Sequence, residues 1–242
     1  MILSGHQPNY WPYPGLFGKI LKSDAFMYVT EVQFEKKSWQ KRNRVRTKEG
    51  WTYIQVPTVT KGKYSQNISE VVIDNTMDWR SKTMRTISLL YGKAPYFSLY
   101  KDFLEDLYAK EWEYLSDLDI YIMNYILKEL CIDTPIYYDK DYLLHGQKTE
   151  MLVSMCKATN CDTYLSNLGS RAYVELSTFT NNGLNHKYID YVGQEYKQQF
   201  YGFEQGLSIL DMLMNCGPEQ TRVILEDDNN YRFSSLNEEL II

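Results

Sequence analysis

The chain has 242 residues with 26 Lys+Arg against 31 Asp+Glu, a formal net charge of −5, and carries 22 Tyr, 9 Phe and 5 Trp. A chain of this length buries roughly 70–75% of its unfolded surface as one domain, so it needs neither disulfides nor a structural metal. Hydrophobic and charged fractions of 44% and 24% exclude disordered and collagen-like classes, and the acidic balance argues against generic nucleic-acid binding.

Met1-Ile2-Leu3 opens as a strand, and Gly5 to Gly15, with three prolines, reads as a loop. Leu16, Phe17, Ile20 and Leu21 recur at helical spacing, and Ala25–Val29 reads as a second buried strand. A strand-loop-helix-strand start implies a parallel pair with a right-handed crossover, with a ligand site at the carboxyl end of the first strand, where His6 to Asn9 sit. Seven cations and no acid lie between Lys36 and Lys48, read as a loop that is either solvated or a phosphate clamp built on the Arg fork.

Trp51–Pro57 alternates as a strand, and Val71-Val72-Ile73 reads as a shorter one. A helical block follows, with Asp78 as cap, a stop at Gly92, and stretches at 94–108 and 111–130. Pro135–Tyr138 reads as a strand, Gln147–Lys157 as a helix, Thr163–Ser166 as a strand and Leu184–Tyr191 as the last strand. Leu207–Cys216 is too apolar for a surface helix and is stopped by Gly217-Pro218; the tail from Glu226 is polar and loosely held. The expected fold is a single α/β domain over 1–242, Rossmann-like and mostly parallel, with a mainly helical insertion around 77–131.

The N-terminus lacks the basic and apolar regions of a secretory signal, and no apolar run reaches membrane length, so a cytoplasmic protein without a membrane span is expected. Four cysteines without a Cys-x-x-Cys pair predict reduced thiols and no zinc module. The nucleophile-elbow, P-loop, dinucleotide and zincin motifs are absent, and no cofactor is expected. Of three histidines, His6 follows a strand and precedes a proline-braced loop; His186 alternates on a strand and is equally well read as a satisfied inward side chain; His145 reads as a turn residue.

His6-Gln7-Pro8-Asn9-Tyr10, Gly15-x-Phe17-x-Lys19-Ile20, Val32-Gln33-Phe34, Arg42-Asn43-Arg44, Val56-Pro57 and Ala94-Pro95-Tyr96-Phe97 form one ordered series. It continues through Lys148-Thr149, Tyr164-Leu165-Ser166 with Gly169 and Tyr173, Tyr196-x-Gln198, and Leu207-Ser208-Ile209-x-Asp211. On these motifs the chain resembles the WbqC-like protein family. The opening loop is also similar, more distantly, to that of bacillithiol synthase and the nucleotidyl-transferase-like core, although the second His of the His-x-Gly-His loop is missing.

The resemblance implies work on surface polysaccharide, including O-antigen and hence lipopolysaccharide: a transferase joining an activated acyl or aminoacyl group, an aminoacyl-tRNA among the donors, to a nucleotide-linked amino sugar. Beside it the residues suggest roles. His6 acts as general base or steadies a leaving group, Gln7 and Asn9 supply amide donors, Arg42 and Arg44 clamp phosphate, and Asp211 orients His6 or His186. Gln33, Lys148, Ser166, Tyr173, Tyr196, Gln198 and Ser208 join the candidate substrate-binding set, and Tyr10, Trp11, Tyr13, Tyr173 and Tyr196 are candidate faces for a sugar or base. The rival readings are a non-catalytic nucleotide-sugar or protein binding module and an ATP-dependent ligase.

Overall fold

The computed structural model describes residues 1–235. β1 (Ile2–His6) leads through α1 (Pro14–Leu21) to β2 (Ala25–Tyr28), and the strands pair in parallel with His6 opposite Tyr28. Pro14 occupies the first turn of α1, where its missing N–H costs nothing. β3 (Arg42–Thr47) and β4 (Gly50–Gln55) form a separate antiparallel hairpin. Three helices follow, α2 (Trp79–Tyr91), α3 (Phe97–Ala109) and α4 (Leu115–Glu129). The sheet then resumes with β5 (Ile136–Tyr138), α5 (Thr149–Ala158), β6 (Thr163–Asn167), α6 (Leu176–Asn181), β7 (Asn185–Tyr191), α7 (Ile209–Glu226) and β8 (Tyr231–Ser235).

The sheet order is β5-β2-β1-β6-β7-β8, with only β8 antiparallel. This is a Rossmann-like arrangement: the chain starts at β1, winds outward through β2 and β5, then returns to the other side of β1 with β6. Ligands of such sheets bind outside the carboxyl ends of the strands where the winding reverses, here β1 and β6. One face carries α1 and α7, the other α5 and α6. The pleat sorts side chains accordingly: Ser4 meets Ser23 just beyond α1 at 2.8 Å, whereas His186 packs against Phe179 of α6.

Three expectations are corrected. The basic run is not all loop: its second half is β3, where Asn43 and Val45 are buried and Arg42, Arg44 and Arg46 share the other side. Val71–Ile73 forms only isolated bridges, because the segment divides its partners: Ile73 N–H goes to Glu113 O while Asp74 N–H goes to Pro57 O, each at 2.9 Å. Leu184 begins no last strand, since Tyr231–Ser235 pairs beyond it on β7; the tail from Glu226 is ordered that far, and its remainder lies outside the described residues. At Gly217, with φ 72°, α7 breaks as expected, but it resumes at Pro218, which suits a new first turn.

The larger core joins α1, α4, α7 and the hairpin's Val45 and Ile54. Within α4, Asp119 has no exposure and neither oxygen has a hydrogen-bond partner among the described residues, so burial holds its carboxyl well above the usual range. A raised carboxyl pKa means the folded state holds a proton the unfolded state has lost, so this group's contribution to stability falls as pH rises above about 4. Asp119→Asn should therefore raise the unfolding free energy at pH 7, with the gain shrinking toward pH 4; urea titrations across that range would expose a flat or reversed difference.

Candidate functional site

β1 ends at His6, and the loop that follows is stitched to the basic segment. Tyr10 N–H lies 3.2 Å from the carbonyls of Trp39 and Gln40, Gln40 Nε2 donates to Gln7 Oε1 at 2.5 Å, and Asn43 Nδ2 donates to Trp11 O at 2.7 Å. Trp11 takes φ 46°, a left-handed conformation costing about 1–3 kcal/mol for such a residue. Its buried indole, donating to Tyr108 Oη at 3.0 Å, fixes it there.

His6 Nδ1 lies 2.7 Å from the carbonyl of Gln7. A carbonyl can only accept, so Nδ1 carries the proton and Nε2 offers a lone pair. Burial, reinforced by the nearby Lys19 ammonium, lowers its pKa to about 3, so His6 is neutral and a weak base. Lys19 itself is 1% exposed and donates to Gly5 O at 3.0 Å; burial lowers it to about 7. In the sequence Lys19 stands only as part of the Gly15-x-Phe17-x-Lys19-Ile20 motif, because helical spacing alone does not show that a lysine is buried.

Alternation on β3 places three arginines on one side, and they differ in how far their donors are used. Arg46 is 4% exposed and largely committed: Nε donates to Gln198 Oε1, Nη1 to Thr47 O and Gly50 O, and Nη2 to Tyr201 O, all at 2.7–3.1 Å. Arg42 makes one long bond, to Lys37 O at 3.3 Å, and lies 4.5 Å from the Tyr53 ring centre. Arg44 lies 4.2 Å from the Trp51 ring and 5.5 Å from that of Trp39, and its buried Nε has no partner among the described residues.

Arg44 also lines a cleft of about 530 Å³ between the hairpin, the start of α1 and the segment after β7. Tyr13, Tyr191, Tyr196 and Phe203 supply its aromatic walls, and Glu195 and Glu204 its carboxylates. Behind Tyr196 stands Asp211, fully buried, accepting from Tyr91 Oη at 2.8 Å, Tyr196 Oη at 2.8 Å and Gln198 Nε2 at 3.0 Å. Desolvation raises its pKa to about 6, against the lowering effect of those hydrogen bonds. The structure thus brings Arg44, Tyr196, Gln198 and Asp211 together; Ser208 caps α7 with its N–H on Arg44 O at 3.0 Å, its buried hydroxyl unpartnered among the described residues. Of the cleft, Tyr191 is readable only as the end of a strand, and Phe203, Glu195 and Glu204 lie in a segment without periodicity to single them out.

Other expected residues lie elsewhere. Among the described residues Asp211 makes no hydrogen bond to His6 or His186, so its orienting role is corrected: its oxygens are occupied by the three donors above. His186 belongs to the opposite sheet face, its Nε2 2.8 Å from Ser166 Oγ amid Tyr164, Phe179 and Tyr188, and burial lowers it to about 4. Tyr10 is wholly buried with its hydroxyl 2.6 Å from that of Tyr108, so its ring, like that of Trp11, is core and no binding face. Gln33 is held to Tyr64 O beside an isolated bridge to Asn67, Lys148 sits exposed at the start of α5, and Tyr173 is exposed beside Arg171 and the α5 start, away from the cleft. Gln7 and Asn9 stay at the β1 end, Gln7 with its amide nitrogen uncommitted among the described residues.

Gln198 cannot turn its amide over, because Oε1 accepts from Arg46 Nε and Glu204 N–H while Nε2 donates to Glu204 O. Asp211→Asn therefore either sets amide N–H against N–H or surrenders the Tyr91 contact, and should cost about 1–3 kcal/mol at neutral pH. Asp211, with its pKa raised, contributes stability that declines as pH rises from about 4 to 6; in the variant that decline should be missing from the difference between the two denaturation profiles.

Comparison with known proteins agrees with the sequence motifs. The chain is 36% identical over 215 residues, 88% of its own length and 93% of the relative's, to the uncharacterized protein Rv1507c of Mycobacterium tuberculosis. No solved structure matches significantly. The model of the WbqC-like protein family matches residues 7–223, which takes in the β1 loop, the hairpin, the cleft and Asp211, and the chain belongs to that family.

Proposed function

We propose that this protein is a transferase that forms an amide on the amine of a nucleotide-linked amino sugar, in the cytoplasm, during assembly of a bacterial surface polysaccharide. Membership of the WbqC-like family suggests a role in polysaccharide biosynthesis. The observation that carries the finer reading is the cleft: four aromatic walls, one arginine with uncommitted donors and two carboxylates in about 530 Å³. Aromatic rings suit the apolar faces of a sugar, and an Arg fork suits phosphate oxygens. No helix among the described residues is long and apolar enough to cross a membrane.

In this scheme the sugar amine attacks the acyl carbonyl carbon. A C–N bond forms, the bond to the donor's leaving group breaks, and the amine proton passes to a base. Glu195 and Glu204 are the carboxylates within the cleft and take that role. His6, held neutral, acts through its Nε2 lone pair as a hydrogen-bond acceptor, and Gln7 and Asn9 remain amide donors at the same end of the sheet. Arg42 and Arg44 take phosphate, and Asp211 positions Tyr196. One observation favours a binding module without turnover: His6, the residue best placed by sequence to move a proton, is a weak base.

Thermal denaturation with UDP-, GDP-, CMP- and dTDP-linked amino sugars tests the reading. One of them should stabilise saturably, by about 2.7 kcal/mol at a hundredfold excess over Kd. Phe203 makes no hydrogen bond among the described residues, so Phe203→Ala should keep the fold and weaken that binding about tenfold. With a donor supplied, His6→Ala should lower turnover at least tenfold with little change in Kd. Binding without any amide product would leave the binding module, and stabilisation by ATP with Mg²⁺ alone would replace the reading with a ligase.

A further inference from the structure

Of the five tryptophans, Trp11, Trp79 and Trp112 are buried, while Trp39 and Trp51 are 45% and 39% exposed. Both exposed rings lie on the arginine side of the β3–β4 hairpin. In register, Arg44 faces Tyr53 and Arg46 faces Trp51, so rings and guanidinium groups alternate across the ladder. Trp51 and Tyr53 meet at 5.0 Å and Trp39 and Tyr53 at 6.4 Å between ring centres, with Arg44 over both tryptophans and Arg42 over Tyr53.

Water-exposed aromatic surface of this size is unfavourable unless something covers it, and a guanidinium stacked on a ring keeps its in-plane N–H groups free. Those of Arg42 and Arg44 are almost unused, and among the described residues neither arginine pairs with a carboxylate. Lys36, Lys37 and Lys41 add charge of the same sign, and Lys41 is lowered by burial and by the Arg42 and Lys36 charges. Such a surface asks for a flat π system carrying anionic oxygens. Arg44 belongs both to this ladder and to the wall of the cleft, so the two are continuous.

The geometry points to a nucleoside-diphosphate subsite on the hairpin: the base stacks on Trp39 and Trp51, Arg42 and Arg44 hold the diphosphate, and whatever the diphosphate carries enters the cleft beyond Arg44. This rests on the proposed function and adds where the nucleotide half lies. The extent of the ladder, three rings and two available arginines, matches one nucleotide better than a nucleic-acid strand, which would also meet the repulsion of a chain of net charge −5.

The test uses the full chain and nucleotides without sugar. UDP, GDP, CDP and dTDP are titrated while tryptophan fluorescence and its quenching by acrylamide are followed. At least one should bind saturably, shield the two exposed tryptophans from acrylamide, and bind more weakly as salt is raised. Trp51→Leu and Arg42→Gln, both at exposed or half-buried positions, should each weaken it about tenfold, and circular dichroism confirms that they fold. Nucleotide binding unchanged in both variants, or no nucleotide binding at all, overturns the subsite, as does tighter binding of a single-stranded oligonucleotide. If nucleoside diphosphates bind as described while no amino-sugar derivative is modified, the subsite stands and the transferase reading falls. If amino-sugar nucleotides are modified equally well by the two variants, the reverse holds.

Discussion

A carboxylate with no exposure to water, Asp211, is the constraint on which the site depends. A buried charge is tolerated only when hydrogen bonds replace its water, and here they come from three residues on two segments: Tyr91 of α2 and Tyr196 and Gln198 of the loop after β7, all meeting a residue of α7. The balancing charge arrives at one remove. The Arg46 guanidinium reaches the carboxylate through Gln198, while its other bonds tie the hairpin turn and the loop carbonyl of Tyr201. Tyr91 closes the circuit by accepting from Arg46 N–H at 2.9 Å. One acid thereby holds the hairpin, two helices and the loop in register, and the cleft is the space those elements leave between them.

The large tyrosine content has two physical uses. In the core, tyrosines satisfy one another, a side-chain amide or the backbone: Tyr10 with Tyr108, Tyr28 with Asn124 Oδ1, Tyr231 with the carbonyl of Leu225. Each brings the area of a phenyl ring and places its hydroxyl where a buried partner exists. At the cleft the same residue type presents a ring to open space while its hydroxyl is anchored behind, as Tyr196 is by Asp211 and Tyr13 by Asn167 Nδ2 at 3.0 Å. Anchoring fixes ring orientation in advance, so little rotamer freedom is lost when a ligand stacks.

What the sequence made legible follows the strength of its periodicities. β1, α1 and β2 were readable because an apolar run, a proline-glycine loop and helical spacing succeed one another, and with them the parallel sheet. β3 was not, because three arginines at every second position look like a solvated loop, although Asn43 and Val45 between them are buried and the guanidinium groups of Arg42 and Arg44 lie over rings. Tyr196, Gln198 and Asp211 were individually singled out, yet their mutual contacts needed the fold. His186 was separated from them by something the sequence does state: Tyr188 and His186 share one face of β7, and Tyr191, at an odd offset, lines the cleft on the other.

That offset also explains why the open space is not where the sheet reverses its winding. Outside β1 and β6 the chain itself crosses the gap, with the β1 loop pinned to the hairpin through Trp11 and Asn43 and to the end of β6 through Tyr13 and Asn167. Tyr13 then stands as the dividing wall, its far side belonging to the cleft that opens beyond β7. His6, half-buried at the end of β1, is kept neutral by desolvation and the Lys19 charge, and Arg44, on the cleft wall, keeps its donors free. The cleft lies at the end of β7, one strand beyond β6, where the hairpin, which is no part of the Rossmann-like sheet, supplies Arg44 to its wall.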